Sequence, residues 1–226
     1  MENDRPELDL LGQYALRFVK PGQTLGLGTG RAAAAFIRAL GRSRIKVRGV
    51  ATSHASEELA RSVGIELISL ADAGRIDIDF DGADEVDPRL NLIKGYGGAL
   101  VREKIVAASS RRFVVLVGEE KMVRKLGERR SLPVEVVPFA VPLAVKRIRA
   151  LGLHPNIRNH GNEIYVSDNG NTILDCGLRV VGNSSRLERD LHVIPGVVGT
   201  GLFVGMADVV LVAQSDGKIR TLRRRR

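Results

Sequence analysis

The densest run of chemically capable residues lies between Asp77 and Lys104, in DIDFDGADEVDPRLNLIKGYGGALVREK. Ile76, Ile78 and Phe80 alternate with Asp77 and Asp79, the two-residue period of a strand with one apolar and one acidic face. That strand ends at Asp81-Gly82-Ala83-Asp84, which sets two carboxylates where open α/β sheets form their binding sites. Lys94-Gly95-Tyr96-Gly97-Gly98 follows, and its glycines let a ligand approach the backbone while Lys94 adds a mobile cation. Glu103 stands on the next expected helix, where its sequence neighbours Arg102 and Lys104 point elsewhere. Its carboxylate could therefore face the glycine loop, the alternative being an ordinary surface helix. A calcium loop is rejected: Asp77, Asp79, Asp81 and Gly82 mimic its start, but the twelfth position is Pro88 and the first half is strand-forming.

A second constellation is Gly26-Leu27-Gly28-Thr29-Gly30, at a strand-to-helix junction where backbone N–H groups can meet an anion. It is not a dinucleotide fingerprint, because Ala33 stands in the third glycine's place, and it lacks the Gly-Lys-Ser/Thr of a Walker loop. By itself it reads equally well as a tight turn. The four histidines are scattered without metal-pair spacing, and the lone Cys176 reads as a small buried apolar residue. No metal site is expected from these residues.

The elements that must position these groups alternate short apolar runs with amphipathic stretches, the mark of parallel βαβ units. Helices are expected over Leu8–Lys20, Arg31–Leu40, Ser53–Val63 (Ser53 as N-cap) and near Arg102–Ser109. Strands are expected at Thr24–Gly28, Val47–Ala51, Ile65–Ser69, Ile76–Phe80 and Phe113–Val117. After Leu132 the pattern changes. A helix Leu143–Leu151 leads to strands at Ile157, Ile164–Val166 and Thr172–Asp175, the last two joined by the hairpin turn Asp168–Asn171. A short helix Leu187–Leu191 precedes strands at Val193–Ile194 and Leu202–Val204, and Val209–Ala213 returns to the main sheet. The expected fold class is α/β, a Rossmann-like domain interrupted by a smaller α+β unit. Its boundaries are set at 1–131, completed by 206–226, and 132–205.

A composition of 44% hydrophobic and 27% charged residues supplies a core and argues against disorder. No apolar run reaches the roughly 20 residues of a membrane-spanning helix. The acidic Met1–Asp9 lacks a secretory pattern, so a cytoplasmic location is expected. The net charge of +9 suits an acidic small molecule. Arg220–Arg226 reads as a solvated, frayed tail; with aromatics at 4% and no recognised DNA-binding pattern, no nucleic-acid partner is expected.

Taken in order, these segments resemble the type A ribose-5-phosphate isomerases over nearly the whole chain. The likeness rests on Gly26–Gly30, TSHASEELA at Thr52–Ala60, DGADEVDPRLNLIKGYGGALVREKIVA at Asp81–Ala107 and Lys121. LPVEVVPFA at Leu132–Ala140, SDNGNTILD at Ser167–Asp175 and IPGVVGTGLF at Ile194–Phe203 complete it. The resemblance implies Glu103 as general base, with Asp81, Asp84 and Lys94 completing a catalytic site. Substrate contacts would come from Thr29, Gly30, Arg31, Ala32, Lys121, the turn Asp81, Gly82, Ala83, Asp84, and the loop Lys94, Gly95, Tyr96, Gly97. It also implies a ferredoxin-like inserted unit, a phosphosugar substrate, no metal or organic cofactor, and a homo-oligomer, dimer or tetramer.

Several positions depart from the family pattern. Gly30-Arg31-Ala32 replaces Gly-Ser-Thr, Tyr96 replaces a glycine, and Gly118-Glu119-Glu120-Lys121 replaces Asp-x-Ser-Lys. Leu8-Asp9 stands where the first helix often has a lysine. Arg31 would then hold the phosphate as a charge-assisted donor or point outward. The expected reaction is aldose–ketose interconversion of ribose 5-phosphate and ribulose 5-phosphate through an enediolate. Burial would raise the pKa of Glu103 toward neutrality. The alternatives are a non-catalytic sugar-phosphate sensor and an isomerase for another phosphosugar.

Overall fold

The computed structural model describes residues 6–178 and 181–224. In chain order come α1 (Pro6–Ala15), β1 (Thr24–Leu27), α2 (Arg31–Ser43), β2 (Arg48–Ala51), α3 (His54–Ser62), β3 (Glu66–Leu67), α4 (Leu70–Ala73) and β4 (Ile78–Gly82). Next are α5 (Leu100–Ala108), β5 (Phe113–Gly118), β6 (Leu132–Val136), α6 (Val141–Ala150), β7 (His154–Ile157) and β8 (Thr172–Gly177). Last are α7 (Ser184–His192), β9 (Val197–Thr200), β10 (Val209–Ala213) and β11 (Ile219–Arg223). By internal packing the chain forms two units: 1–83 with 102–121 and 206–226, and 84–101 with 122–205.

The first unit is a seven-stranded sheet in the order β11-β10-β5-β4-β1-β2-β3, parallel except for β11. The chain runs outward from β1 through β2 to β3, then returns to β4 on the other side of β1. β1 and β4 therefore flank the topological switch point, where crevices open at the carboxyl ends of strands. Helices cover both faces, so the central strands are buried throughout; Phe36 on α2 stacks on Phe80 of β4 with ring centroids 4.2 Å apart. Asp79 and Asp81, on the acidic face, are fully buried because a helix covers that face: Val106 of α5 and the Asp79 carboxylate both reach the space beside Gly26.

Local signals fix the helix ends. Ser53 caps α3: its Oγ accepts from the Ser56 N–H at 3.1 Å, and the Ser56 hydroxyl returns a bond to the Ser53 N–H. α1 stops earlier than expected, at Ala15, and continues as a single 3₁₀ turn over Leu16–Phe18. The frayed-tail expectation is also corrected. Ile219–Arg223 pairs antiparallel with β10, and the exposed Arg220 and Arg223 put charge on an edge strand, a common guard against edge-to-edge association. Arg225 and Arg226 lie outside the described residues, as do Met1–Arg5 of the acidic amino terminus.

The second unit carries β6-α6-β7-β8-α7-β9 with the antiparallel strand order β9-β6-β8-β7. Two crossing helices and that order make the ferredoxin-like arrangement. The expected boundaries placed 84–101 and 122–131 in the first domain; by packing they group here, because Glu85–Val86, Leu92–Ile93 and Leu202–Phe203 form a small antiparallel sheet. Val193–Ile194 is no strand. It follows the end of α7 and enters the Pro195-Gly196 turn, and the strand begins at Val197. Asp168–Asn171 is the expected hairpin turn, closed by a Val166–Thr172 bridge. Buried Glu135 on β6 anchors it: its Oε1 accepts from Ser167 Oγ, Asn169 Nδ2 and Asn171 Nδ2 at 2.9–3.0 Å.

Cys176 on β8 is fully buried, and burial first, then the neighbouring Asp175 carboxylate, push its thiol from 9.0 up to about 12. A protonated, inaccessible thiol is not a nucleophile. The folded protein is expected to give no reaction with a thiol-specific disulfide reagent at pH 8, and one equivalent after denaturation. Because the folded pKa lies above the unfolded one, this stabilisation is complete below pH 9 and fades as pH rises toward about 12. Fast labelling of the native protein at pH 8 would contradict this burial.

Candidate active site

In the first unit the site is built at the switch point. Gly28, just beyond β1, donates its N–H to Phe80 O at 2.9 Å, which brings the turn against β4. An added Cβ at Gly28 would land on the Asp81 carboxylate, so glycine is required here for close approach and not for a special dihedral. The Asp81 carboxylate is oriented by two backbone donors: its Oδ1 accepts from Thr29 N at 3.0 Å and from Gly82 N at 2.7 Å. Thr29 Oγ1 lies 2.8 Å from both Thr52 Oγ1 and Ser53 Oγ, tying the turn to the entry of α3. Gly30 adopts φ +99° as the residue before α2, a conformation that L side chains rarely take.

Glu103 is 3% exposed. α5 and β5 follow β4, and β4 and β5 are parallel neighbours, so the helix runs back along the sheet. Val106 packs with Val50, Ala73 and Ile76 and reaches the place that a Cβ on Gly26 would occupy. Glu103 lies one turn earlier on the same helix face. One turn is about 5.4 Å and two strand residues about 6.6 Å, so Glu103 is level with Gly28 and Asp81. The expected burial contrast holds: Arg102 and Lys104 are only half-buried. Lys121 is half-buried at the end of a 3₁₀ turn that follows β5, and Gly82, which closes β4, and Ala83 after it are half-buried.

A cavity of about 500 Å³ opens at this turn, lined by Gly28, Thr29, Gly30, Arg31, Arg38 and Arg42 among others. Arg31 is exposed at the first turn of α2, and Arg38 and Arg42 repeat along the same face at helical spacing. Half-buried Ala32 follows Arg31. A helix amino terminus together with guanidinium groups favours an anion. Sequence reasoning missed Arg38 and Arg42; their i+7 and i+11 spacing from Arg31 was the available signal.

In the second unit, Lys94 is 2% exposed, and its Nζ sits 5.5 Å from the Phe203 ring centroid. Its N–H donates to Gly201 O at 2.9 Å, continuing the Ile93–Leu202 pairing. Gly95 and Gly98 have φ of +105° and +82° and close a turn through Gly98 N–H to Gly95 O. Asp84 Oδ2 accepts from Tyr96 N at 3.0 Å, so one proposed ligand is tied to the loop that carries the other. Tyr96 and Gly97 are exposed, and the Arg130 guanidinium lies 4.8 Å from the Tyr96 ring centroid. Arg130 is placed by buried Glu85, which accepts from the N–H groups of Gly127, Arg129 and Arg130. Arg158 also meets this loop and is held by Asp175, and sequence reasoning assigned neither a role; they lie too far along the chain for spacing to link them to it. Among the described residues no group of three or more His, Cys, Asp or Glu could hold a metal ion, and no helix is long and apolar enough to cross a membrane.

Residues 48–217 match the family model described as ribose 5-phosphate isomerase A (phosphoriboisomerase A). The chain is 47% identical over 212 residues to the ribose-5-phosphate isomerase A of Roseiflexus sp. strain RS-1, covering 91% of each. Among solved structures it is similar to ribose 5-phosphate isomerase A from Methanocaldococcus jannaschii, with TM-score 0.91 and 39% identity over 97% of this chain and 100% of that one. A D-ribose-5-phosphate isomerase in complex with phospho-erythronic acid gives TM-score 0.93 and 36% identity over 97% of this chain and 98% of that one.

Proposed function

The chain belongs to the ribose 5-phosphate isomerase A family, and from that premise we propose that it interconverts D-ribose 5-phosphate and D-ribulose 5-phosphate with Glu103 as the proton-carrying base. The observation that carries the assignment is the burial of Glu103, 3% exposed, on the helix that crosses above Gly26 and level with Asp81. A carboxylate withdrawn from water keeps the proton it removes instead of losing it to solvent.

In the open-chain aldose, Glu103 takes the proton from C2 as the C1 carbonyl becomes the enediolate, then returns it to C1. The proton of the C2 hydroxyl ends on the C1 oxygen, leaving a ketone at C2 and a primary alcohol at C1. Lys94 and the loop amides meet the negative charge that develops on the two oxygens. Asp81 and Asp84 accept from sugar hydroxyls and assist ring opening. The 5-phosphate lies on the turn Thr29–Ala32 with Arg31, where the hydroxyls usual in the family are replaced by a guanidinium; Lys121 contributes a further cation. No metal or organic cofactor takes part in this route.

The chain acts as a homo-oligomer in this reading, supported by large apolar groups left exposed, Phe139 at 96% and Val193 at 78%. A cytoplasmic location goes with a phosphorylated substrate. The test is an assay of purified protein with ribose 5-phosphate in excess chelator, following ketopentose formation, beside a panel of other aldose phosphates. Turnover of ribose 5-phosphate above all others is expected. Absence of turnover, or strong preference for another sugar, overturns the substrate assignment. Tyr96, bulky and exposed beside Gly97, is the observation that favours including the panel.

A further inference from the structure

Two successive carbonyls of the glycine loop in the second unit are held by one side chain. Arg158 Nη1 donates to Gly95 O at 2.8 Å and to Tyr96 O at 3.1 Å, while its Nε and Nη2 grip both oxygens of Asp175 at 2.9 and 2.6 Å. The Arg158 side chain is 11% exposed, and its guanidinium stands 5.7 Å from the Tyr96 ring centroid and 5.8 Å from that of Tyr165. The Tyr165 hydroxyl donates to the next carbonyl, Gly97 O, at 3.4 Å.

In a trans peptide the carbonyl of one residue and the N–H of the next point in opposite directions. A guanidinium that takes Gly95 O thus turns the Tyr96 N–H away from itself, and that N–H is the one bound to Asp84 Oδ2. By the same rule, capture of Tyr96 O aims the Gly97 N–H away from Arg158. Resting on the site reading above, we propose that Arg158, locked by Asp175, is a positioning residue for the isomerisation. It orients Asp84 through the Tyr96 amide and presents the Gly97 amide to the oxygens that become charged. A fork that serves a carboxylate and two carbonyls at once is a task for arginine; a lysine ammonium is a single point donor.

The loop is assigned to the charge that develops and not to the substrate phosphate, so a misaimed loop weakens stabilisation of the enediolate more than ground-state binding. Arg158→Met is expected to lower kcat by about 10²-fold, the scale of a roughly 1 Å misplacement, with KM changed less than about twofold. Arg158→Lys recovers part of the loss, and Asp175→Asn shows a smaller fall of the same kind. Amide hydrogen exchange is expected to quicken at Tyr96–Gly98 and to stay unchanged in β6 and β8. Where Arg158→Met does not fold, Arg158→Lys and Asp175→Asn carry the test by the same split. An unchanged kcat in folded variants, or a loss confined to KM, overturns the clamp. Parent and Glu103→Gln are assayed alongside: a parent without turnover, or a Glu103→Gln variant as active as the parent, removes the site reading and this inference with it. Normal dependence on Glu103 with indifference to Arg158 removes the clamp alone.

Discussion

Glu103→Gln is expected to lower kcat for ribose 5-phosphate by about 10²- to 10⁴-fold, with KM held within a few fold. Glutamine keeps the length and planar end of the side chain, so hydroxyl contacts and packing over the sheet survive, while the group that accepts and returns the proton is gone. Stability is the control. The site is 3% exposed, and a neutral amide is cheaper to bury than a carboxylate, so the thermal midpoint is expected to be equal or higher. A second readout follows the migrating hydrogen: the parent is expected to carry a C2 deuterium label to C1 of the ketose, and any residual turnover by the variant to lose it. Glu103→Asp keeps the acid but withdraws it by one methylene, and about 10²-fold is expected from that displacement. Parent-like turnover in Glu103→Gln sinks the assignment, whatever the rest of the site does.

The βα alternation was readable because each element of the first unit carries its own local signal. Ser53 caps a helix through a bond to a residue three positions away, without help from tertiary structure. The proximity of Asp81 and Gly28 was only half legible. Strand ends and a glycine turn could be read separately, but that the Asp81 carboxylate fills the space where a Gly28 side chain would stand is a fact of β1–β4 register. Burial of Asp79 had no local mark for a related reason: alternation sets which face a residue takes, and the helix packed on that face decides whether it sees water. Two-residue strands such as Leu92–Ile93 have no period to detect, so the grouping of 84–101 with the second unit had no local mark. Arg158 lies 63 residues from Gly95, and only the pairing of β7 with β8 places it beside Asp175. Chemistry carried by consecutive residues was visible; chemistry supported across strands was not.

Lys94→Met gives the other large effect, and comparing its loss of activity with its loss of stability separates catalysis from structure. Lys94 is 2% exposed and sits beside the Phe203 ring, so the folded chain holds a cation in poor contact with water. Such a charge is costly to bury, and removing it alone leaves its partners uncompensated, so activity is compared on folded protein well below the thermal midpoint. If the cation is kept for the developing oxyanion, its loss lowers kcat by about 10²- to 10³-fold, the range found when one such donor is removed. The fall in kcat is then expected to exceed any loss of folded fraction at the assay temperature. A lysine serving only packing predicts activity lost in step with stability. Lys94→Arg sharpens the comparison: it restores the charge but brings a wider fork into a fully packed site, so rescue is expected to be poor. Measured kcat and thermal midpoint for the two variants decide between these accounts, and full rescue by arginine counts against a closely fitted oxyanion donor.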